Sequence, residues 1–167
     1  VTQQGVVLNE TVNVTATDIR ASNGVVHVID AVLLPPESIT EIVVGDDNFS
    51  ILEDAVIAAG LAETLDEGGD FTVFAPTNEA FMALPDGTLD ALLADPDGQL
   101  KDILLYHVAS GEAFEKDVVQ VRRVATLLDI PVTVEVTQNG VVLNGSVNVT
   151  TTDIIAANGV IHVIDAV

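Results

Sequence analysis

The same segment occurs near both ends of the chain, and this internal repeat constrains the fold more than any other feature of the sequence. Residues 1–32 and 136–167 align at an offset of 135 positions and are identical at 25 of the 32 aligned positions. The body between the copies, residues 37–135, occurs once. A period of this length is an ordinary domain size. We therefore expect residues 1–36 to be the C-terminal β segment of one repeat and residues 37–167 to be the next domain.

The first half of the single body follows a helical pattern that is interrupted by one short strand. Ser38 and Asn48 are placed to cap two helices, and Gly60 is placed to end the second. The apolar run at residues 71–75 predicts a strand, and Thr77 is a natural cap for the helix that follows it. Two further helices are predicted over residues 88–94 and 99–108.

From Val132 onward, across the end of the body and the second copy of the repeat, the pattern changes to a period of two. Val132, Val134 and Val136 alternate with polar residues, and Asn139-Gly140 is a strong signal for a tight hairpin. Further strands are predicted over residues 141–150 and 160–167, with turns at Asn144-Gly145 and Asn158-Gly159. A helical half followed by hairpins indicates an α+β fold and not an alternation of strands and helices.

The charge balance excludes nucleic-acid binding. The chain has 26 acidic and 5 basic residues and a formal net charge of −21, so it has no basic cluster to replace the counterions of phosphate.

With 49% hydrophobic residues it has enough apolar side chains for a packed core. The sequence has no cysteine, no phosphate-binding glycine loop and no catalytic set of residues. We therefore expect a folded protein that is not an enzyme.

Three motifs occur in order between residues 72 and 165. They are TVFAPTNEAF at residues 72–81, LYHV at 105–108 and NGVIHVID at 158–165. Together they resemble the fasciclin domain, an extracellular adhesion module that is commonly repeated in tandem. The resemblance covers residues 37–167, and residues 1–36 are similar to the tail of a preceding fasciclin domain. It implies an α+β fold in which N-terminal helices pack against a wedge-shaped β-sandwich, without catalysis.

The resemblance also marks candidate partner-binding residues. Tyr106-His107 matches a Tyr-His pair that is proposed to contact integrins in animal members of the family. Asp153-Ile154 and its copy Asp18-Ile19 match an aspartate-isoleucine pair that animal members are proposed to present to integrins. The residues themselves also allow plainer roles. His107 shares an apolar helical stripe and would point inward, and an aspartate at a strand end is commonly solvated.

Three further residues, Thr77, Asn78 and His162, are expected to be structural. Thr77 and Asn78 lie in the first motif, where they could supply the hydrogen-bond partner that a buried His107 needs. His162 lies within a Val/Ile strand, which is typical of a structural histidine. Its copy is His27, so the histidines occupy only two distinct contexts and show no spacing typical of a zinc site.

No metal or cofactor is expected. The acidic turns at residues 66–70 and 95–98 are alternative calcium sites, but neither has the ligand run and terminal glutamate of an EF-hand. Exposed and solvated turns are the simpler interpretation of both segments.

Residues 1–34 carry the apolar pattern of the repeat without the helical body on which the second copy is expected to pack. Two strands alone are marginally stable in water, and their edges are open to pairing. We therefore expect this segment to mediate self-association by joining a sheet of another molecule. No apolar run approaches the roughly 18 residues of a membrane span, so none is expected in this chain.

These observations lead to three hypotheses for function. The first is a non-enzymatic adhesion or matrix-interaction module of a tandem-repeat protein, extracellular or on the cell surface, which binds other protein or matrix components. The second is a structural subunit of an extracellular filament or surface layer assembled by strand pairing. The third is a small-ligand or polysaccharide-binding module, which requires an apolar pocket with converging polar groups.

Overall fold

The chain divides into two compact units, Val1–Pro35 and Pro36–Val167. A computed structural model describes residues 6–8, 12–138 and 140–167. None of the helices in these described ranges is long and apolar enough to cross a membrane.

The first unit is a small antiparallel sheet. Its described strands are β1 (Val7–Leu8), β2 (Val12–Ala21) and β3 (Gly24–Ile29), in that order across the sheet. Ser22-Asn23 joins β2 to β3, and valine is frequent in both strands, as a pleated surface favours. Among the described apolar residues of this unit only Val12 is buried. The unit therefore has almost no core of its own.

Asn13 and Asp30 form hydrogen bonds across the open end of the β2-β3 hairpin. The side-chain Nδ2 and the backbone N–H of Asn13 both donate to the Asp30 carboxylate, at 2.8 Å each. Because these bonds favour the charged carboxylate, they hold the pKa of Asp30 below its usual range. Asn148 and Asp165 make the same two bonds in the second copy, at 2.8 and 2.7 Å. The repeated sequence therefore folds into the same hairpin twice.

The second unit begins with most of its helices. In the described part of the chain these are α1 (Ile39–Gly45), α2 (Ser50–Ala58), α3 (Ala62–Glu67), α4 (Asn78–Met82), α5 (Thr88–Ala94), α6 (Lys101–Tyr106) and α7 (Glu115–Val118). A 3₁₀ turn, Asp47–Phe49, leads into α2, and a wide turn, Pro96–Leu100, leads into α6.

The strands of the second unit form a mixed sheet. The described strands are β4 (Phe71–Pro76), β5 (Val108–Ser110), β6 (Arg123–Val124), β7 (Val132–Thr137), β8 (Gly140–Leu143), β9 (Val147–Ala156) and β10 (Gly159–Ile164). Their order across the sheet is β5-β4-β10-β9-β8-β7-β6, with β4 and β10 parallel and the other neighbours antiparallel. A bridge between Ala109 of β5 and Thr126, close to β6, brings the two edges together. The sheet is therefore nearly closed into a barrel.

Strands β4 and β10 form the centre of the core, because every residue of both strands is buried. Parallel strands of this kind are covered on both faces. One apolar cluster packs α1, α2 and α6 against residues such as Val73 and Ile161. The other packs Phe74 and Ile164 against β7 and β8. The sheet thus separates a helical layer from a second layer made by its own curled strands.

The α+β prediction is confirmed, and side chains cap helices near the predicted points. Ser38 and Glu41 form a capping box, in which the side chain of each accepts from the backbone N–H of the other, at 3.1 and 2.8 Å. Thr77 Oγ1 accepts from a backbone N–H in the first turn of α4. The prediction that Asn48 is a cap is wrong. Asp46 accepts from the Asn48 N–H at 2.9 Å, so the chain first makes a 3₁₀ turn and α2 starts after it.

The shortest elements are not identified by the sequence patterns, because they span too few residues. Helices α3 and α7 and strands β5 and β6 were not predicted. The helix predicted over residues 99–108 is shorter, since Gly98 leaves helical dihedrals before α6 and the chain enters β5 at Val108. The predicted turn at Asn144-Gly145 separates β8 from β9. Asn139 of the predicted hairpin turn lies outside the described residues.

Candidate functional site

Tyr106 and His107, at the C-terminal end of α6, line a cleft of about 570 Å³ that we call the Tyr106 cleft. Helices α5 and α6 form one wall, and β8, β9 and the residues after β10 form the other. Its apolar lining includes Leu92, Ile103, Leu143 and Val147. The cleft lies where the helical layer meets β8 and β9, and most of its lining is apolar.

His107 is held by the helix that carries it. Its Nδ1 lies 2.7 Å from the carbonyl oxygen of Ile103, so Nδ1 carries the proton and donates to that oxygen. Burial lowers the pKa of His107 below its ordinary value of 6.5, and the bond to Ile103 opposes this shift. The imidazole is therefore neutral at pH 7. The prediction that Thr77 and Asn78 satisfy His107 is wrong, because a carbonyl of its own helix lies within reach.

Tyr106 is tied to the turn between β8 and β9. Its hydroxyl oxygen accepts from Asn144 Nδ2 at 3.0 Å. Asn144 has a left-handed backbone, with φ of 51°, and its Oδ1 accepts from the Thr133 N–H at 3.0 Å. The Tyr106 hydroxyl proton is not used in this bond, so it can be donated to a group that enters the cleft.

Asp153 and Ile154 lie on β9 and do not line the Tyr106 cleft. Asp153 has a left-handed backbone, with φ of 58°. Its carboxylate accepts from the N–H of Glu115, the first residue of α7, at 2.7 Å. Ile154 is half-buried and packs against the helical cluster. In this copy both residues of the predicted contact pair have bonds or contacts inside the domain.

His162 lies on β10 with both ring nitrogens bonded. Its Nε2 is 2.8 Å from the carbonyl oxygen of Ala113, and its Nδ1 accepts from the Asp153 N–H at 3.3 Å. The ring also stacks on Phe74, with 5.8 Å between ring centroids. These contacts fix the tautomer, with the proton on Nε2, and leave no ring nitrogen for a ligand.

Asn78 joins the start of α4 to the start of α2. Its Oδ1 accepts from the Ile51 N–H at 3.0 Å, and its Nδ2 donates to Asp47 O and Ser50 Oγ at 2.8 and 3.0 Å. With Thr77, which caps α4, it aligns two helix N-termini. Both residues therefore form hydrogen bonds to backbone groups.

The first copy repeats the aspartate turn without the surrounding domain. Asp18 has φ of 59°, and its N–H donates to His27 Nδ1 at 3.3 Å, as in the second copy. No described group bonds to the Asp18 carboxylate, and Ile19 is 48% exposed. The carboxylate of Asp18 and the side chain of Ile19 are therefore exposed, whereas those of Asp153 and Ile154 make contacts inside the domain.

Two residues that sequence reasoning treated only as a turn prove to organise the domain. Asn158 Oδ1 accepts from the Ile39 N–H at 2.9 Å, and its Nδ2 donates to Leu65 O at 2.6 Å. Gly159 pairs with Phe71 and has φ of 148°, and any Cβ at this position would overlap the Phe71 backbone. The Asn-Gly pair in the sequence predicts the turn, and the structure shows the segments that Asn158 and Gly159 contact.

Among the described residues no group of three or more His, Asp or Glu side chains is placed to hold a metal ion. Five of the candidate residues of the second unit lie in two separate places. Tyr106 and His107 share the cleft, and Asp153, Ile154 and His162 lie together at β9 and β10.

Comparison of the sequence with known families gives a match to the fasciclin domain over residues 1–35 and 47–167. An uncharacterised protein of the cyanobacterium Synechocystis, sll1735, is 42% identical over 130 residues, which are 78% of this chain and 96% of that protein. The rabbit transforming growth factor-beta-induced protein ig-h3 is 35% identical over 162 residues. That alignment covers 96% of this chain but only 24% of the rabbit protein.

A solved structure gives the same result for the fold. It is a pair of FAS1 domains from the insect cell adhesion molecule Fasciclin I. The TM-score is 0.69 at 26% sequence identity, over 93% of this chain and 58% of the insect chain. The similarity therefore extends across most of both units.

Proposed function

Because this chain belongs to the fasciclin domain family, we propose that it is a non-enzymatic adhesion or matrix-interaction module that acts outside the cell or on its surface. The observation that carries this proposal is the similarity, over most of the chain, to a domain pair from a cell adhesion molecule. The internal contacts of its histidines support a binding role over catalysis, since His162 has no free ring nitrogen and His107 is held by its own helix.

The first partner contact that we propose is Asp18-Ile19. Both residues are exposed in the first unit, whereas the carboxylate of Asp153 is bound to the α7 backbone. Asp153-Ile154 and Tyr106-His107 are the further candidates. Asp153 would have to exchange its bond to the Glu115 N–H for a partner, whereas Tyr106 can donate its hydroxyl proton without losing its bond to Asn144.

Cell attachment to surfaces coated with the 167-residue protein tests this proposal. We expect Asp18→Ala with Ile19→Ser to reduce attachment, and Ile130→Ser, an exposed apolar residue of the second unit, to leave it unchanged. Attachment that is the same for all three proteins contradicts the assignment to Asp18-Ile19. A wild-type protein to which neither cells nor matrix components attach contradicts the adhesion function itself.

We also propose that residues 1–36 are the tail of a preceding repeat in a tandem array. Three features support this organisation: the hairpin register is the same in both copies, Gly24 lacks the neighbour that Gly159 has, and valines of β3 are exposed. The mass of the polypeptide in its native source tests it. A value many times 17.4 kDa is expected, and a value near 17.4 kDa contradicts the array.

A structural filament or surface layer is the second candidate function, favoured by the free edge of β3. Val25, Val26 and Val28 are 53%, 52% and 43% exposed, and β3 pairs on one side only among the described strands. An exposed apolar edge is a template for pairing with another chain. Size-exclusion chromatography with light scattering tests self-association through residues 1–34. A monodisperse monomer contradicts it.

Small-ligand binding is the third candidate, favoured by the Tyr106 cleft. Its volume lies within the range of about 300–1,000 Å³ that is usual for ligand pockets, and its lining is mostly apolar with a few polar groups. This lining suits a small apolar molecule better than a polysaccharide. Native mass spectrometry of the purified protein tests the alternative, because a bound molecule adds mass that denaturation removes.

A further inference from the structure

Arg122 and Arg123 line an open groove of about 580 Å³ that we call the Arg122 groove. Residues 119–123, at the start of β6, form one side of the groove, and β7 forms the other. Val121 and Val136, which are both exposed, line it as well. The groove therefore combines two cations with exposed apolar side chains, and arginine beside apolar residues is typical of protein interfaces.

Neither guanidinium has a partner in the described part of the chain. Both arginines are exposed, and no described residue forms a hydrogen bond or an ion pair with either side chain. Glu135 also lines the groove but does not form such a pair with them. The chain has 26 acidic residues, so two adjacent arginines without a carboxylate partner are available to bind carboxylates of another molecule.

One surface of the same unit has the complementary composition. Helices α1 and α2, over residues 39–58, have five acidic residues and no basic residue. Val44 and Ile57, which are 51% and 59% exposed, line one small cavity beneath these helices together with Glu53. Asp54 lies three positions before Ile57 and shares its side of α2. We call the surface formed by Val44, Glu53, Asp54 and Ile57 the α1-α2 face.

We propose that the Arg122 groove of one molecule binds the α1-α2 face of a second copy of this chain. Arginine pairs with carboxylates through two parallel hydrogen bonds, and the valines of the groove would cover Val44 and Ile57. A partner whose carboxylates accompany apolar side chains suits this groove better than an anionic polysaccharide, whose surface is mostly polar. Because the groove and the face are different surfaces, the contact is head to tail and builds open filaments or closed rings.

The contact lies wholly in the second unit. Both surfaces fall within residues 44–136, so the contact is compatible with a tandem array and independent of strand pairing through residues 1–34. The net charge of −21 opposes association at long range, but salt at physiological strength screens exposed charges more than about 8 Å apart. Ion pairs that become buried in an interface are screened much less. Short-range complementarity therefore decides whether two copies bind.

Sedimentation equilibrium of the 167-residue protein over a concentration series, at physiological salt, tests the contact. We expect the average mass to rise with concentration. The groove variant, Arg122→Glu with Arg123→Glu, is expected to weaken association at least tenfold, because it places like charges opposite each other. The control, Lys101→Glu with Lys116→Glu, changes the net charge by the same amount at other positions and is expected to associate as the wild type does.

An exchange of charges tests whether the two surfaces meet each other. The face variant, Glu53→Lys with Asp54→Lys, is expected to associate as weakly as the groove variant, since its arginines now meet positive charge. A mixture of the two variants is expected to regain association. In that mixture one variant supplies an intact face, the other supplies an intact groove, and the two altered surfaces are also opposite in charge. Thermal melts of each variant check that it is folded.

Four results overturn the proposal. A wild type that is monomeric at every concentration excludes a second copy as the partner, and if that monomer binds dextran sulfate through the arginines, the groove belongs to anionic polymers. Equal association of the groove variant and the wild type assigns self-association to another surface, such as the β3 edge. Equal weakening by the lysine control shows that total charge decides. A mixture that stays dissociated shows that the groove and the α1-α2 face do not meet.

These results are separate from the adhesion function. Cell attachment is measured on its own, so a failure of this contact leaves the adhesion proposal standing, and a failure of attachment leaves this contact standing.

Discussion

Single residues show most directly how the same amino acid acquires different roles in the two copies. Asn158 bonds to two helices of its unit, and Gly159 allows β4 to approach. A Cβ added at Gly24, the copy of Gly159, would find no atom within 4 Å. The requirement for glycine is therefore set by the neighbouring strand and not by the turn that contains it.

We expect Gly159→Ala to destabilise the second unit by about 1–3 kcal/mol or more, because the new methyl group overlaps the backbone of β4 and the position has a positive φ. Gly24→Ala is the matched control and is expected to leave stability unchanged. Urea denaturation followed by far-ultraviolet circular dichroism, to which both units contribute, measures both. Equal effects of the two substitutions would show that β3 also meets a strand.

His107 gives the domain a pH dependence that can be assigned to one group. Because burial lowers its pKa in the folded state, the unfolded chain binds a proton more readily. Stability is therefore complete above the ordinary value of 6.5 and falls as the pH drops below it toward the lowered value. The slope for one group cannot exceed about 1.4 kcal/mol per pH unit.

The measurement is a series of thermal melts between neutral pH and the onset of carboxylate protonation. We expect His107→Gln to flatten the dependence of the melting temperature on pH in this interval. Ile130→Ser, which replaces an exposed residue and adds or removes no titratable group, is expected to follow the wild type. A wild-type melting temperature that does not change with pH would mean that His107 is protonated as easily in the folded state.

Sequence reasoning reached some of these residues and not others for a physical reason. Ser38 and Thr77 were found because a cap acts on the backbone within three residues. The partner of His107 was misjudged because a helical stripe does not show which carbonyl a ring reaches. The roles of Asn158 and Gly159 depend on segments far away in sequence, and no local pattern contains them.

At the scale of elements, the β2-β3 and β9-β10 hairpins have the same local structure but differ in how far they are buried. Both have the same register and the same left-handed aspartate. Strand β10 is buried throughout between β4 and β9, while β3 is almost entirely exposed. The local sequence therefore specifies the hairpin, and burial of the hairpin depends on the helices and strands that residues 37–135 provide in the second unit.

This contrast predicts different responses to equivalent substitutions. Ile161→Ala should cost about 2–5 kcal/mol, because its side chain is fully buried in the helical cluster. Val26→Ala, at the equivalent position, should change stability by no more than about 0.5 kcal/mol. Chemical denaturation compares the two variants. A large loss in Val26→Ala would show that β3 is covered in solution.

The order of elements was largely predictable, because alternating valines and strong turn signals mark the hairpins. The parallel pairing of β4 with β10 was not predicted. It joins strands that are distant in sequence, and neither strand alternates, since both are buried on both faces. Periodicity therefore identifies an element more easily than its partner.

At the scale of the whole molecule, charge is concentrated in the helical half. Residues 37–100 contain 15 acidic and no basic residues, whereas residues 101–167 have a net charge of −4. Pairs such as Asp46-Asp47 and Asp66-Glu67 place like charges next to each other. Repulsion within this half opposes folding, and dissolved salt screens it.

We expect the melting temperature to rise with sodium chloride concentration, as the screening length falls from about 10 Å at 0.1 M to about 3 Å at 1 M. Calcium chloride at the same ionic strength separates screening from specific binding. Equal effects of the two salts indicate screening, and a larger effect of calcium indicates a cation site at the acidic turns. Melts that do not respond to either salt contradict the repulsion.

The duplicated hairpin also affects how the chain reaches its native state. Strands β3 and β10 are close copies, so an unfolded molecule offers β4 two competing partners, and β3 is synthesised first. We expect refolding to divide between a direct route and a slow route in which β3 must first leave β4. Gly24→Ala should remove the slow phase, since a methyl group there blocks this pairing as it would at Gly159. Stopped-flow refolding that keeps its slow phase in this variant would assign the delay elsewhere.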